Sequence, residues 1–368
     1  MYDLIVIGGG PAGSCAAITC ARSGARVLLL ERGRFPRHKV CGEFVSAESL
    51  DLLLNLLAPQ PARSFSDSVR IPRARIFIDG VTLPTPIDPP AASISRLDLD
   101  VALWDSAGQC GVDRRPEIAV KSVSGTGPFL VKTPVGQFES HALINASGRW
   151  SNLNSAASDM QGSRVKWVGL KGHFAETSPP ASVDLYFFEG GYCGVQPVAL
   201  TDEVEPSGRV NVCAMVRTDV GLALPDVFGR HSALLERSRG WKPLSTPVST
   251  SPLLFREPQP DRDGILMVGD AAGFVDPFVG DGISLALRSG SLAGESLIPF
   301  LGGSISLTEA VRDYRSTYER RLTPLFRTSS KLRRMLSLPK TVRIPILRLL
   351  ERTPAITRYL VIKTREAA

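Results

Sequence analysis

The chain has 368 residues, 43% of them hydrophobic and 21% charged; this balance excludes a disordered or fibrous protein and suits one large two-part globule. The formal charge of +7 gathers at the end, where residues 331–368 hold ten Lys or Arg against two Glu, and no recognised nucleic-acid motif accompanies it. No apolar run approaches the roughly 18 residues that a membrane span needs, and no basic region opens the chain as in a signal peptide, so a cytoplasmic protein is expected. Six cysteines (15, 20, 41, 110, 193 and 213) lack C-x-x-C or zinc spacing, so no metal is expected and they read as free thiols.

Leu4 to Ile7 is an apolar run that suits a strand buried on both faces of a parallel sheet. Gly8, Gly10 and Gly13 follow in G-x-G-x-x-G spacing, with Pro11 and Ala12 between. The first glycine permits a tight turn, the second lets backbone approach a pyrophosphate, and the third lets the next helix close on the strand. That helix, Ala12 to Ser23, offers its first N–H groups to phosphate and ends at Gly24. A second strand, Val27 to Leu30, delivers Glu31 and Arg32, at an offset near that of an acid accepting from a ribose 2′-OH. Gly8, Gly10, Pro11, Ala12, Gly13, Glu31 and Arg32 are the candidate nucleotide contacts.

Beyond Arg37-His-Lys39-Val-Cys41-Gly42-Glu43, a hairpin is predicted over Ala74 to Leu83 with Asp79-Gly80 at its tip. A helix is predicted to start at Ser95-Arg96, capped by Ser95 or Asp98. Val120 is placed in a strand, and a strand over 142–145 leads into Ala146-Ser147-Gly-Arg-Trp-Ser151. Residues 167–174, 183–188, 192–198 and 209–216 are rich in β-branched and aromatic residues; with Gly190-Gly191 as a hairpin turn, they predict a mostly antiparallel sheet. Ile265 to Val268 is a third buried strand, ending at Asp270, and Gly280 and Gly282 bracket a helix from Ile283 to Phe300 with Asp281 as a possible N-cap.

The pair formed by Leu4–Gly13 and Gly264–Gly282 resembles the two FAD motifs of the superfamily of class A flavin monooxygenases, geranylgeranyl reductases and flavin-dependent halogenases. The resemblance spans residues 1 to about 330. It implies FAD as cofactor, with Asp270 on the ribityl chain, Gly280 and Gly282 at the pyrimidine edge, Arg96 reaching the cofactor, Val120 near adenine, and Cys41 and Gly42 passing the flavin ring. It also implies an α/β fold: a discontinuous Rossmann-type FAD-binding domain (1–75, 95–155 and 255–330), an inserted, mostly antiparallel β-sheet substrate domain (76–94 and 156–254), and a basic C-terminal helical region (331–368).

The reaction is left between alternatives. Hydroxylation of an apolar or aromatic small molecule of secondary metabolism is the first expectation, and reduction of an isoprenoid or other alkene the second. Halogenation is disfavoured because the Trp-x-Trp-x-Ile-Pro signature is missing, and a non-redox flavoprotein is the remaining class. Ser147 stands where class A hydroxylases carry an Asp tied to nicotinamide binding, and no second dinucleotide fingerprint exists. Electrons are therefore expected from transient NAD(P)H or a separate reductase. Polyprenyl reductases have Tyr-x-Trp-x-Phe-Pro where this chain keeps Tyr192 and Pro197 but has Gly194 and Gln196. Tyr192, Gln196 and Cys41 are the catalytic candidates, and His173 reads as structural. The basic end reads as a helical layer with its charge in water, or as a contact for anionic membrane or an acidic carrier protein.

Overall fold

The computed structural model describes residues 1–149, 153, 166–200, 208–250, 253, 255, 257–276, 280–336 and 338–352. In chain order the first part comprises β1 (Tyr2–Ile7), α1 (Pro11–Arg22), β2 (Val27–Leu30), β3 (Phe44–Val45), α2 (Ala47–Leu56), α3 (Pro59–Ser66), β4 (Val69–Ile78), β5 (Val81–Ser93) and α4 (Arg96–Gln109). Next come β6 (Asp113–Arg115), β7 (Ser122–Ser124), β8 (Phe129–Thr133), β9 (Gly136–Asn145), β10 (Trp167–Ala175), β11 (Val183–Phe188), β12 (Gly191–Pro197) and β13 (Arg209–Arg217). The remainder holds α5 (Leu224–Phe228), α6 (Ser232–Ser238), β14 (Lys242–Pro243), β15 (Val248–Ser249), β16 (Asp261–Arg262), β17 (Ile265–Met267), α7 (Gly282–Leu301), α8 (Leu307–Arg321), α9 (Thr323–Leu336) and α10 (Lys340–Arg352).

The strands form two sheets. The first follows the order β16-β17-β9-β1-β2-β6, with β17, β9, β1, β2 and β6 parallel and β7 and β8 folded back beside β9. Alternation explains its apolar runs. Leu4, Val6, Leu29 and Ile144 face a core closed by α1, α4, α7 and α8, while Ile5, Ile7, Leu28 and Leu30 face Phe129 and Val131 on the other side. The second sheet runs β14-β10-β13-β12-β11-β4-β5-β3 and is antiparallel except where β11 meets β4. This is the α/β architecture expected, with a Rossmann-type parallel sheet beside a mostly antiparallel one.

Three local expectations differ. Strand β4 runs through residue 75, so the whole β4–β5 hairpin lies in the second sheet. Its tip is the Asp79-Gly80 turn foreseen, with φ of 49° and 78°. Phe188 pairs with Gly191, so Glu189 and Gly190 make the two-residue turn and Gly191 is already strand. Val120 is not in a strand; it lies in the extended connection before β7.

Small residues bring α1 and α7 together. A Cβ at Gly290 would stand 2.2 Å from the Ala12 carbonyl, and one at Gly294 would stand 2.8 Å from Thr19. The Cys15 thiol donates to Leu287 O across this seam at 3.2 Å. The described part of the basic end, through Arg352, is tied to the body. Arg333 of α9 pairs with Asp276, Arg343 of α10 pairs with Asp79 at 2.6 Å, and Leu347 packs on Ile78, Val81 and Leu83. Residues 353–368 of the predicted helical layer lie outside the described residues. Among the described residues no helix is long and apolar enough to cross a membrane.

Because the obstacle at Gly290 is backbone, Gly290→Val is expected to destabilise the protein by about 3 kcal/mol. Gly240→Ala, at an exposed position whose Cβ would meet nothing, is expected to be nearly neutral. Thermal unfolding of the two variants beside the wild type checks this.

Candidate functional site

The Gly8–Gly13 turn joins β1 to α1. A Cβ at Gly8 would lie 2.3 Å from Ala146 O, and one at Gly13 would lie 1.9 Å from Gly8 O. A Cβ at Gly10 would meet nothing within 4 Å. Two of the three glycines are thus required by the protein's own packing, and the third borders open space. No side chain caps α1, and Pro11 is its first residue. The N–H groups of Ala12 and Gly13 are therefore left for a ligand, the arrangement that suits a pyrophosphate.

Glu31 lies at the end of β2, as expected, but its carboxylate is already engaged. Oε2 accepts from Gly9 N at 2.8 Å and Arg37 Nη2 at 3.0 Å, while Oε1 accepts from Gly33 N at 2.8 Å and Arg37 Nη1 at 2.6 Å. Burial acts to raise its pKa; Arg37 and the two N–H groups outweigh burial and hold it below the usual range. A ribose hydroxyl reaching Glu31 must therefore share or displace Arg37. Arg32 is exposed. Val120 is half-buried just before β7. A cleft of about 270 Å³ nearby, lined by Lys121, Asn145, Arg262 and Met267 among others, includes none of the expected cofactor contacts.

The second motif meets the first in space. A Cβ at Gly269, one residue before Asp270, would stand 3.0 Å from the Ala12 Cβ. Asp270 pairs with Arg149 at 3.3 Å and is about one-third exposed. Gly280 has φ 81° and packs toward Phe44, while a Cβ at Gly282, the first residue of α7, would meet nothing. Asp281 occupies the N-cap position of α7 without a side-chain cap bond. Ser147 turns its N–H and hydroxyl onto Asn145 Oδ1, at 3.0 and 2.5 Å. Trp150 and Ser151 of the same stretch, and residues 277–279 of the second motif, lie outside the described residues. Open positions at Gly10, Gly42, Gly148 and Gly282, together with two helix N-termini free of side-chain caps, fit a bound dinucleotide.

Ser95 caps α4 as expected, accepting from Leu97 N at 3.1 Å. Arg96 is held by Asp100 through a two-pronged ion pair at 2.6 and 2.7 Å. The residue that sequence reasoning missed is Glu43. It is fully buried, and its φ of 60° places it in the left-handed region. Such a conformation costs a non-glycine residue about 1–3 kcal/mol and persists only where the surroundings over-determine it. Here Oε1 accepts from Lys171 Nζ and, at 2.7 Å, from Arg96 N, and Oε2 accepts from His173 Nε2 at 2.8 Å. Burial acts to raise the Glu43 pKa, but Lys171 and His173 outweigh it and bring it down to about 2. His173, read as structural from the sequence, meets Glu43 through Nε2 in a fully buried contact. A charged Lys171 inside an otherwise apolar strand was the available signal.

The second sheet faces the 39–43 loop with three ranks of side chains. His173, Asn211 and Gln196 form one, Lys171, Cys213, Gly194 and Leu185 the next, and Gly169, Met215, Tyr192 and Phe187 the third. Gln196 donates to Ser93 Oγ at 2.7 Å and Glu43 O at 3.1 Å, so its amide braces the loop. Cys41 is half-buried, and its sulfur takes the Glu43 N–H at 3.4 Å. The third rank is apolar: Tyr192 and Met215 pack with Leu253, Phe255 and Phe274. Burial, and then Asp276, raise the Tyr192 pKa well above the ordinary phenol value, which keeps its proton in place.

A family model described as FAD dependent oxidoreductase matches residues 3–36. Digeranylgeranylglycerophospholipid reductase 1 of Methanococcoides burtonii is 28% identical over 320 residues, covering 80% of this chain and 74% of that protein. The chain is an FAD-dependent oxidoreductase. Geranylgeranyl diphosphate reductase of Rhodobacter capsulatus is 27% identical to the oxidoreductase, covering 82% and 76% of the two chains. The solved structure of a myxobacterial chondrochloren halogenase shares its fold, with TM-score 0.69 at 24% identity over 87% of this chain and 79% of the other. The oxidoreductase is thus similar in sequence to geranylgeranyl reductases and in fold to a flavin-dependent halogenase.

Gly10→Val is expected to leave folding intact and abolish FAD retention, whereas Gly13→Val should lower stability even without cofactor. Flavin absorbance after desalting and circular dichroism melting separate the two. The depressed Glu43 pKa makes a second prediction. Its contribution to stability is present above the ordinary value of 4.5 and is lost as pH falls toward about 2. Glu43→Gln should flatten that part of the acid slope. It should also cost about 3–5 kcal/mol near neutrality, because Lys171 keeps a buried charge without its partner. Denaturant unfolding at several pH values measures both.

Proposed function

We propose that this oxidoreductase reduces a carbon–carbon double bond of an apolar substrate, the second of the two reactions expected from sequence. The observation that carries the reading is the apolar rank beside the 39–43 loop, where Tyr192 holds a phenolic proton among Met215, Phe187, Phe255 and Phe274. Two relatives whose names are those of isoprenoid reductases support it.

Bound FAD supplies the hydride, and the protein supplies orientation, dryness and a proton. Gly10, Ala12, Gly13, Asp270 and Gly282 are the proposed holders of the cofactor, with Arg96 and Val120 as more distant contacts. Gly42 backbone lines the ring. The aromatic rank excludes water and places the alkene. With FAD bound, its hydride would go to one alkene carbon, and Tyr192 holds the proton for the other, to be replaced from water once the product has left. Electrons come from NAD(P)H bound transiently or from a separate reductase, since Ser147 replaces the acid that class A hydroxylases use.

Hydroxylation of an aromatic compound is the second reading, and the same cluster of rings favours it. One experiment decides. The holoenzyme is reduced photochemically without oxygen and mixed with geranylgeranyl diphosphate. Alkene reduction predicts flavin reoxidation under anaerobic conditions and a product that gains one pair of hydrogens per saturated bond, with Tyr192→Phe slower by about 10²-fold or more. No anaerobic reoxidation, together with an oxygenated product from an aromatic compound in air, would overturn the reductase in favour of the hydroxylase.

A further inference from the structure

The loop that carries Cys41, Gly42 and Glu43 has its carbonyls tied to the second sheet. Asn211 Nδ2 donates to Cys41 O at 3.1 Å and to Gly42 O at 2.8 Å. Gln196 Nε2 donates to Glu43 O, which also accepts from Ile94 N at 3.0 Å. A planar trans peptide sets its N–H opposite its C=O. With the Cys41 carbonyl drawn onto Asn211, the N–H of Gly42 points away from the sheet. Gly42 is exposed, a Cβ there would meet nothing, and among the described residues its N–H has no acceptor. The next N–H, of Glu43, is taken by the Cys41 sulfur. One donor is thus left facing the open side of the loop.

Asn211 is placed for this role by register. It stands opposite His173 on β10 and Gln196 on β12, so it belongs to the polar rank of the sheet and is itself buried. The ion pairs of Glu43 with Lys171 and His173 fix the far end of the same loop.

We infer that Asn211 is a positioning residue: through the Cys41 and Gly42 carbonyls it aims the Gly42 N–H at the flavin ring. This rests on the proposed placement of the loop along the isoalloxazine. A donor aimed there favours the electron-rich reduced ring over the oxidised one. Its loss makes the flavin harder to reduce while leaving the nucleotide end of the cofactor untouched.

The test uses FAD-loaded wild type, Asn211→Leu, Asn211→Ala and Gly42→Val, with three readouts: the two-electron midpoint potential, the visible flavin spectrum and the FAD dissociation constant. Both Asn211 variants are expected to shift the potential negative, by roughly fivefold in the reduction equilibrium, the size of one neutral hydrogen bond. Their FAD affinity should stay within a fewfold of wild type. Gly42→Val should alter spectrum and affinity by placing a side chain against the ring. If Gly42→Val changes both but the folded Asn211 variants keep the wild-type potential and spectrum, Asn211 does not position the donor and the inference fails. If Gly42→Val changes none of the three, the loop is not beside the flavin and the underlying placement fails with it.

Discussion

The arrangement of this oxidoreductase depends on one buried carboxylate. Glu43 joins three parts of the chain at two oxygen atoms: the loop after β2, the first N–H of α4, and two side chains of β10 in the second sheet. None of these contacts is local, since Lys171 and His173 lie 128 and 130 residues away. Removing a partner from such a cluster leaves a charge in a place water cannot reach, so the members stand or fall together. A fully apolar contact of the same size would hold the two sheets together as well. It would not hold the loop's backbone in the left-handed conformation found at Glu43.

The nucleotide end is governed by a different constraint, the close approach of backbone to backbone. Gly8, Gly13 and Gly290 each occupy positions where a methyl group would strike a carbonyl. Their absence of side chains lets α1 settle between β1 and α7, and the Gly269–Ala271 turn settles on Ala12. The two helix N-termini that point partial positive charge at a ligand are therefore set by packing in the core rather than by the residues that touch the ligand. Gly10 and Gly282, which the protein's own packing does not require, border open space.

These two constraints explain how much was legible in the sequence. The glycine turn, the strand before it and the acid after it are local, periodic and dictated by backbone geometry, so their places could be read directly. The β4–β5 hairpin announced itself through Asp79-Gly80, and Ser95 through its position before a helix. Glu31 was correctly placed at the end of β2, but Arg37 as its partner was not foreseeable. The return of the chain to that carboxylate depends on the loop's path, which has no periodic signature. Val120, placed in a strand through the family resemblance, lies in the connection just before β7. Gln196 was read as a catalytic candidate, and only the fold shows the Glu43 carbonyl and Ser93 that its amide meets. The hub at Glu43 could be sensed only as an anomaly, a lysine and a histidine alternating on one face of an apolar strand.

That same face joins the two halves of the chemistry. Strand pairing keeps opposite residues on one side, so β10, β13 and β12 carry the polar rank of His173, Asn211 and Gln196 and, two ranks on, the apolar rank of Gly169, Met215 and Tyr192. The polar rank meets buried backbone that must be satisfied, and the apolar rank meets Leu253, Phe255 and Phe274. Gly194 in the middle rank and Gly169 in the apolar rank carry no side chain, and Val40 of the loop packs at Gly169. A sheet graded in this way holds the loop rigidly at one end and offers a dry wall at the other, only a few residues apart. In the Trp and Phe positions of polyprenyl reductases this chain has Gly194 and Gln196. At the first, the Leu185 side chain stands 3.3 Å from where a Cβ would lie, and the second braces the loop through Ser93 and the Glu43 carbonyl.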